Sequence, residues 1–285
     1  MDVSRFDYEY SDRKDFHFAL MSDIHMDSPG FDKARFTADM DNTANKGGKA
    51  FFNGDLVDAI FPTDRKRYAR SANANAEDAQ INGLAQSIAE QLAPYADIID
   101  YIGIGNHEVS IVKFNNLDII ALIVMLLNQK RSKKIPPIKR GGYVGFINLV
   151  FSRKGDAVRR YVIYRDHGKG GNSPVTKGTI GLNRLYGTYD ADVYWLGHSH
   201  QSILDSTSQW SIGVTPQGKL YQKNKVGIIT PGYSVNFGER EYNNDSDYYR
   251  LNFPEERFYA PTGIGYGQLD INLTGDNLKA RIAIV

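Results

Sequence analysis

The chain has 285 residues, 41% of them hydrophobic and 24% charged, which is ordinary globular composition with enough apolar material for one large α/β domain or two small ones. The formal net charge of +1 excludes a global field that would draw the chain onto nucleic acid or membrane. The absence of cysteine excludes disulfides and thiolate metal sites and leaves His, Asp, Glu and Asn as ligands.

Residues 1–15 are polar and charged without an apolar h-region, so no secretory signal is expected and a cytoplasmic location is the default. Residues 16–21 read as the first buried strand, ending in Ser22-Asp23-Ile24-His25. Positions i and i+2 of an extended segment share a side, so Asp23 and His25 can reach one point. Taken alone, the pair also reads as a capping Asp beside an incidental His. Residues 32–45 read as a helix broken by Gly47-Gly48. A second short strand, 50–52, runs into Asn53-Gly54-Asp55-Leu56-Val57-Asp58, where Asp55 also suits a helix N-cap. The alternation is that of an α/β fold with polar residues gathered at the carboxyl ends of strands. Residues 63–93 are polar and helix-prone. Residues 98–102 read as the central strand, followed by Gly105-Asn106-His107-Glu108. The Asn106 amide oxygen can ligate a hard cation, and His107 can hydrogen-bond or transfer a proton.

Residues 111–127 read mostly as one helix. Their apolar run, 119–127, is far shorter than the about 20 residues a membrane span needs, so no membrane partner is expected. Residues 130–140 hold six basic side chains in eleven positions around Pro136-Pro137, which excludes regular helix. The segment reads as a solvated loop or as a contact for a nucleic-acid backbone. Strands are expected over 142–153 and 157–165, the second ending in Asp166-His167-Gly168-Lys169-Gly170-Gly171. A strand over 192–196 ends in Gly197-His198-Ser199-His200. Residues 203–225 read as a hairpin meander, and 226–229 as a further strand ending in Thr230-Pro231-Gly232-Tyr233. The aromatic stretch 237–259 reads as an excursion with little regular structure, and 267–273 with 278–284 as a closing hairpin. No repeat or linker interrupts the chain, so one domain, 1–285, is expected.

Five of the six histidines, His25, His107, His167, His198 and His200, follow predicted strands inside Gly- or Asp-containing turns, and His17 does not. With Asp23, Asp55 and Asn106 they supply seven ligands and one spare imidazole. One bridging carboxylate then allows four ligands for each of two ions, the arrangement of a two-metal hydrolytic site with ions roughly 3.5–4 Å apart.

Asp23-Ile24-His25, Gly54-Asp55-Leu56-Val57-Asp58, Gly105-Asn106-His107-Glu108, His167 and Gly197-His198-Ser199-His200 look like the five motifs of the calcineurin-like metallophosphoesterase superfamily, in matching order and spacing. Thr230-Pro231-Gly232-Tyr233 is similar to the Asn-Pro-Gly-Ser turn of several members, and the aromatic stretch after it resembles phage-encoded members. The resemblance implies a four-layer α/β/β/α sandwich. It implies that Asp23, His25 and His200 hold one divalent ion, that Asn106, His167 and His198 hold a second, and that Asp55 bridges them. His107 would be the catalytic imidazole that protonates the leaving oxygen, and Asp58 the carboxylate that orients it. A carboxylate behind an imidazole fixes its tautomer and favours an acid role. The nucleophile would be a metal-bridging hydroxide. Mn²⁺ is the expected cofactor, and Fe, Zn²⁺ or Ni²⁺ suit the same ligand types.

Departures from the family pattern narrow the substrate. Ser/Thr phosphatases of the superfamily carry Arg-Gly after the second motif, where this chain has Ala59-Ile60; the double-strand-break repair nucleases carry Asp where this chain has Glu108. Without that Arg, the candidate substrate-binding residues are Arg165, Lys169 and Tyr233. The expected activity is that of a phosphodiesterase or nuclease acting on nucleotides or nucleic acid. The 130–140 loop would be a backbone contact, and 234–262 a lid or substrate-facing excursion. The alternatives are a phosphomonoesterase and, from another class, a metal-free scaffold.

Overall fold

Strand β2 (Arg13–Met21) buries side chains on both faces, Phe18 and Leu20 on one and Ala19 and Met21 on the other, so it must lie between two layers. The same holds for β3 (Lys49–Asn53) and β4 (Ile99–Gly103), where Phe51 and Tyr101 face one side and Phe52 and Ile102 the other. In the computed structural model, which describes residues 1–11, 13–59, 81–153, 158–169, 176, 178–213, 218–235, 262–275 and 277–285, these strands form the middle of a six-stranded sheet. Its order is β12-β11-β2-β3-β4-β5, with β5 (Lys139–Arg140), β11 (Gly267–Thr274) and β12 (Asn277–Ile284). A second six-stranded sheet has the order β1-β6-β7-β8-β10-β9. Its strands are β1 (Asp2–Tyr10), β6 (Val144–Arg153), β7 (Val158–Asp166), β8 (Val193–Leu196), β9 (Ile203–Ile212) and β10 (Leu220–Ile229).

Three apolar clusters divide the molecule into four layers. The first packs helices α1 (Lys33–Asn45), α2 (Ile81–Leu92), α3 (Asn106–Asn115) and α4 (Ile119–Lys130) onto β2, β3 and β4. The second lies between the sheets, with Phe6, Phe18, Phe51, Tyr101, Phe151 and Trp195 at its centre. The third packs Leu182 and Tyr186 of α5 (Thr179–Thr188) against Tyr164, Tyr194 and Ile229. This is the α/β/β/α sandwich. The strands β2, β3 and β4 run parallel in one sheet and β7, β8 and β10 in the other, so six motif-bearing loops leave carboxyl ends of strands.

Two local expectations are corrected, and two elements were not expected. The segment 111–127 is two helices bent by 107°. The break comes at Asn116, which takes the left-handed conformation (φ 52°), and Asp118 then caps α4 by accepting from the Ala121 N–H at 2.9 Å. Residues 220–229 form one continuous strand, because β10 pairs with β9 along its whole length before β8 joins it. The polar amino terminus forms β1, and α5 follows β7. Among the described residues no single helix is long and apolar enough to cross a membrane. The expectations for 63–80, Ala157, Gly170-Gly171 and residues 236–261 lie outside the described residues.

Candidate metal centre

The loops at the strand ends are strained where the ligands sit. Among the described residues seven non-Gly positions have positive φ, and five of them are Asp23 (53°), His25 (50°), Asp55 (48°), His198 (66°) and His200 (52°). Such a conformation costs an L-residue roughly 1–2 kcal/mol and persists only where its surroundings over-determine it. Here backbone bonds lace the loops together: Asp23 N–H donates to Gly54 O (3.1 Å), Ile24 and His25 N–H both to Asp55 O (2.8 and 3.1 Å), and Tyr233 N–H to Asp23 O (3.1 Å). Gly54 (φ 84°) and Gly105 allow the closest approach. A Cβ on Gly54 would lie 2.5 Å from Gly105 N, and one on Gly105 would lie 2.2 Å from Asp55 Oδ1, so neither position has room for a side chain.

These loops bring the seven expected ligands together. Donor atoms of Asp23, His25 and His200 converge within 4.8 Å of one another, and so do those of Asp55, His167 and His198. Asn106 completes the second set, its Oδ1 lying 3.1 Å from His167 Nε2 and 2.6 Å from His198 Nδ1. His167 donates from Nδ1 to Asn53 O at 2.7 Å, which leaves Nε2 to face Asp55 Oδ2 at 3.0 Å. Both Asp23 oxygens accept from the His198 N–H at 2.9 Å, and Asp55 Oδ1 accepts from the His107 N–H at 3.0 Å. A third group, His25, Asp55 and His107, also meets the distance condition, so His107 lies within ligand reach as well as beside Asp58.

The electrostatics fit cations. Asp23 and Asp55 are 0% and 2% exposed, and among the described residues no Lys or Arg pairs with either. Uncompensated buried carboxylates are costly, so they call for a positive partner. Among the described residues His25 Nδ1 and His200 Nδ1 are buried without a hydrogen-bond partner. Burial, with the neighbouring His107, pushes His25 down to about 3. Burial also opposes charge on His167, but the adjacent Asp55 carboxylate overrides it and raises the ring to about 10. Asp55 is held well below the carboxylate range because the charges of His167 and His107 outweigh its burial. A positive charge is thus favoured beside Asp55. Hard carboxylate and amide oxygens with borderline imidazoles are a donor set that suits divalent ions.

His107 and Asp58 are in contact. His107 Nδ1 lies 2.7 Å from Asp58 O and 3.1 Å from Asp58 Oδ1. A carbonyl only accepts, so Nδ1 carries the hydrogen and Nε2 faces Asp55 Oδ2, 3.9 Å away. Two supporting carboxylates have roles that the motifs do not state. Glu108, 1% exposed, accepts from Gly105 N–H (2.7 Å), Asp55 N–H (3.0 Å) and Val57 N–H (3.2 Å), tying the second loop to the third. Burial and the Asp55 charge raise it to about 7. Asp27 accepts from the N–H groups of Asp58 and Ala59. Its spacing two residues after His25 is the one signal in the sequence for it.

The substrate-binding candidates separate. Lys169 is exposed beside His167. Arg165 is fully buried between the sheets, where it pairs with Asp2 (2.7 Å), donates to Gly142 O (2.8 Å) and stacks on Tyr101. Tyr233 is also fully buried, with its hydroxyl donating to Asp39 (3.0 Å) and its ring against Phe36. Strand parity turns Arg165 inward, and the last motif loop folds Tyr233 back onto α1. The basic segment leaves the end of α4 and leads into the start of β5, which runs parallel to β4, so it lies at the strands' amino ends, opposite the donor cluster. Four of its cations have partners: Arg131 with Asp100, Lys133 with Asn128 O, Lys139 with Arg5 O, and Arg140 with Asp118. Lys130, Lys133 and Lys134 are exposed.

No family model and no curated protein sequence matches the chain. Solved structures similar to it include a conserved uncharacterized protein from Streptococcus pneumoniae TIGR4 described as a predicted phosphoesterase, with TM-score 0.32, 11% identity, and 95% of this chain and 90% of that one covered. A second is wild-type Vps29 complexed with Zn²⁺ from Entamoeba histolytica, with TM-score 0.31, 11% identity, and 94% and 98% covered. A third is a metallophosphoesterase from Sphaerobacter thermophilus, with TM-score 0.31, 10% identity, and 94% and 88% covered.

Proposed function

We propose that the chain hydrolyses phosphodiesters of nucleotides or nucleic acid at a centre of two divalent cations held by Asp23, His25, His200, Asp55, Asn106, His167 and His198. The observation that supports this most is the convergence of those donors around two buried carboxylates that no Lys or Arg neutralises among the described residues. Bound there, divalent ions supply Lewis-acid charge to a phosphoryl oxygen and make water acidic enough to attack near neutral pH. The chain's own residues do the rest. Asn53 O fixes the tautomer of His167, and Glu108 fixes the backbone of Asp55. With its Nδ1 hydrogen held at Asp58, a protonated His107 gives its Nε2 proton to the departing oxygen.

The diester preference follows from charge. Sites that favour a phosphomonoester dianion usually add guanidinium or ammonium groups to the metals. Arg165 is engaged by Asp2, and position 59 is Ala. A diester carries one negative charge and needs less. The exposed Lys169 favours the second reading, a phosphomonoesterase. Assay of both p-nitrophenyl esters in Mn²⁺ decides between them: bis(p-nitrophenyl) phosphate should show the higher kcat/KM, and a clear preference for p-nitrophenyl phosphate would remove the diesterase reading. A nucleic-acid interaction through the basic segment would involve Lys130, Lys133 and Lys134. Their neutralisation should then lower the log–log salt slope of binding by roughly 0.7–0.9 for each phosphate that no longer has a cation beside it.

A further inference from the structure

We infer that Asp27 is a positioning residue for His107, an inference that rests on the phosphoesterase reading above. Asp27 Oδ1 accepts from the Asp58 N–H at 2.5 Å and Oδ2 from the Ala59 N–H at 2.8 Å. A carboxylate across two successive amides fixes the orientation of the peptide between them. The turn it grips is strained, because Ala59 takes the left-handed conformation (φ 44°) without being Gly. That turn puts the Asp58 carbonyl and carboxylate against His107 Nδ1, at 2.7 and 3.1 Å. The carbonyl selects the Nδ1–H tautomer, which leaves Nε2 as the atom to be protonated and to give that proton away. Asp27 is in none of the three groups of converging donors, so it acts on the imidazole through the turn and not as a ligand. It thereby ties the first motif, whose His25 lies two residues before it, to the acid step of the third.

Activity and spectroscopy together test this. The full chain with Asp27→Ala, and with the milder Asp27→Asn should the first fail to fold, is assayed in Mn²⁺ on bis(p-nitrophenyl) phosphate and on diphenyl phosphate, whose leaving group needs protonation more. A loss of roughly 10–100-fold in kcat is expected on diphenyl phosphate, a smaller one on the nitrophenyl ester, and little change in KM. In a His107→Asn background the Asp27 substitution should cost nothing further. In metal-free protein, ¹⁵N imidazole shifts should report the Nδ1–H form of His107 in the wild type and mixed tautomers in the variant. Equal losses on both substrates, additive losses with His107→Asn, or an unchanged tautomer would overturn the inference. A wild type that hydrolyses neither ester would remove the phosphoesterase reading instead, and the tautomer measurement would still decide whether Asp27 holds His107.

Discussion

His107 and Glu108 are chain neighbours with different duties. His107→Asn should keep both ions and lose about 10²–10⁴-fold in rate if the ring is the general acid. Since donor atoms of His107 also converge with those of His25 and Asp55, a fall in metal content would instead make it a ligand. Glu108→Ala removes the acceptor of three buried N–H groups, each worth about 1–3 kcal/mol when left unpaired. Urea unfolding of the metal-free variant should show a loss of roughly 3 kcal/mol or more, and an unchanged midpoint would deny Glu108 its clamp. The convergence of the His, Asp and Asn donors was legible in the sequence because only a few side chain types bind divalent ions and they recurred after strands. The roles of Glu108 and Asp27 were not. Both bind backbone amides of a loop some 30 to 50 positions away, and any residue can offer an amide.

At the scale of elements, Arg131 shows why a run of basic residues is a poor guide to function. It is 4% exposed, donates to Asp100 Oδ1 at 2.6 Å and bonds the carbonyls of Ala96 and Ile99, so it fastens the end of α4 to the start of β4. Arg131→Ala should cost about 3–5 kcal/mol, the range for breaking a buried ion pair. Lys134→Ala, at an exposed position, should stay within about 0.5 kcal/mol. Thermal or urea unfolding of the two variants checks the contrast, and equal effects would refute it. A buried apolar run located β2, and hydrophobic alternation located β11. It was also present in β1, where Ser4, Phe6 and Tyr10 face inward between Arg5, Asp7 and Glu9, but the charged residues masked it. The break between α3 and α4 hung on a single left-handed Asn116 inside an apolar run, which periodicity alone does not reveal.

At the scale of the molecule, the sandwich was legible only through the motif resemblance. The pairing of β1 with β6 joins Asp2 to Gly145, and no local pattern encodes a contact of that separation. The cluster between the sheets makes the two sheets interdependent, so they should unfold together. Phe51→Ala, in that cluster, should cost about 3–5 kcal/mol and shift far-ultraviolet and fluorescence transitions equally; separate transitions would mean separate domains. On the proposed function, the strand-end loops of this fold meet at one pair of cation sites. This is tested most directly by dialysing metal-free protein against rising Mn²⁺ while following bis(p-nitrophenyl) phosphate hydrolysis on the same samples. Two ions per chain, hydrolysis that rises as the second ion binds, and weakening of both sites by Asp55→Asn are the expected results; a fully active protein holding one ion or none would contradict the proposal.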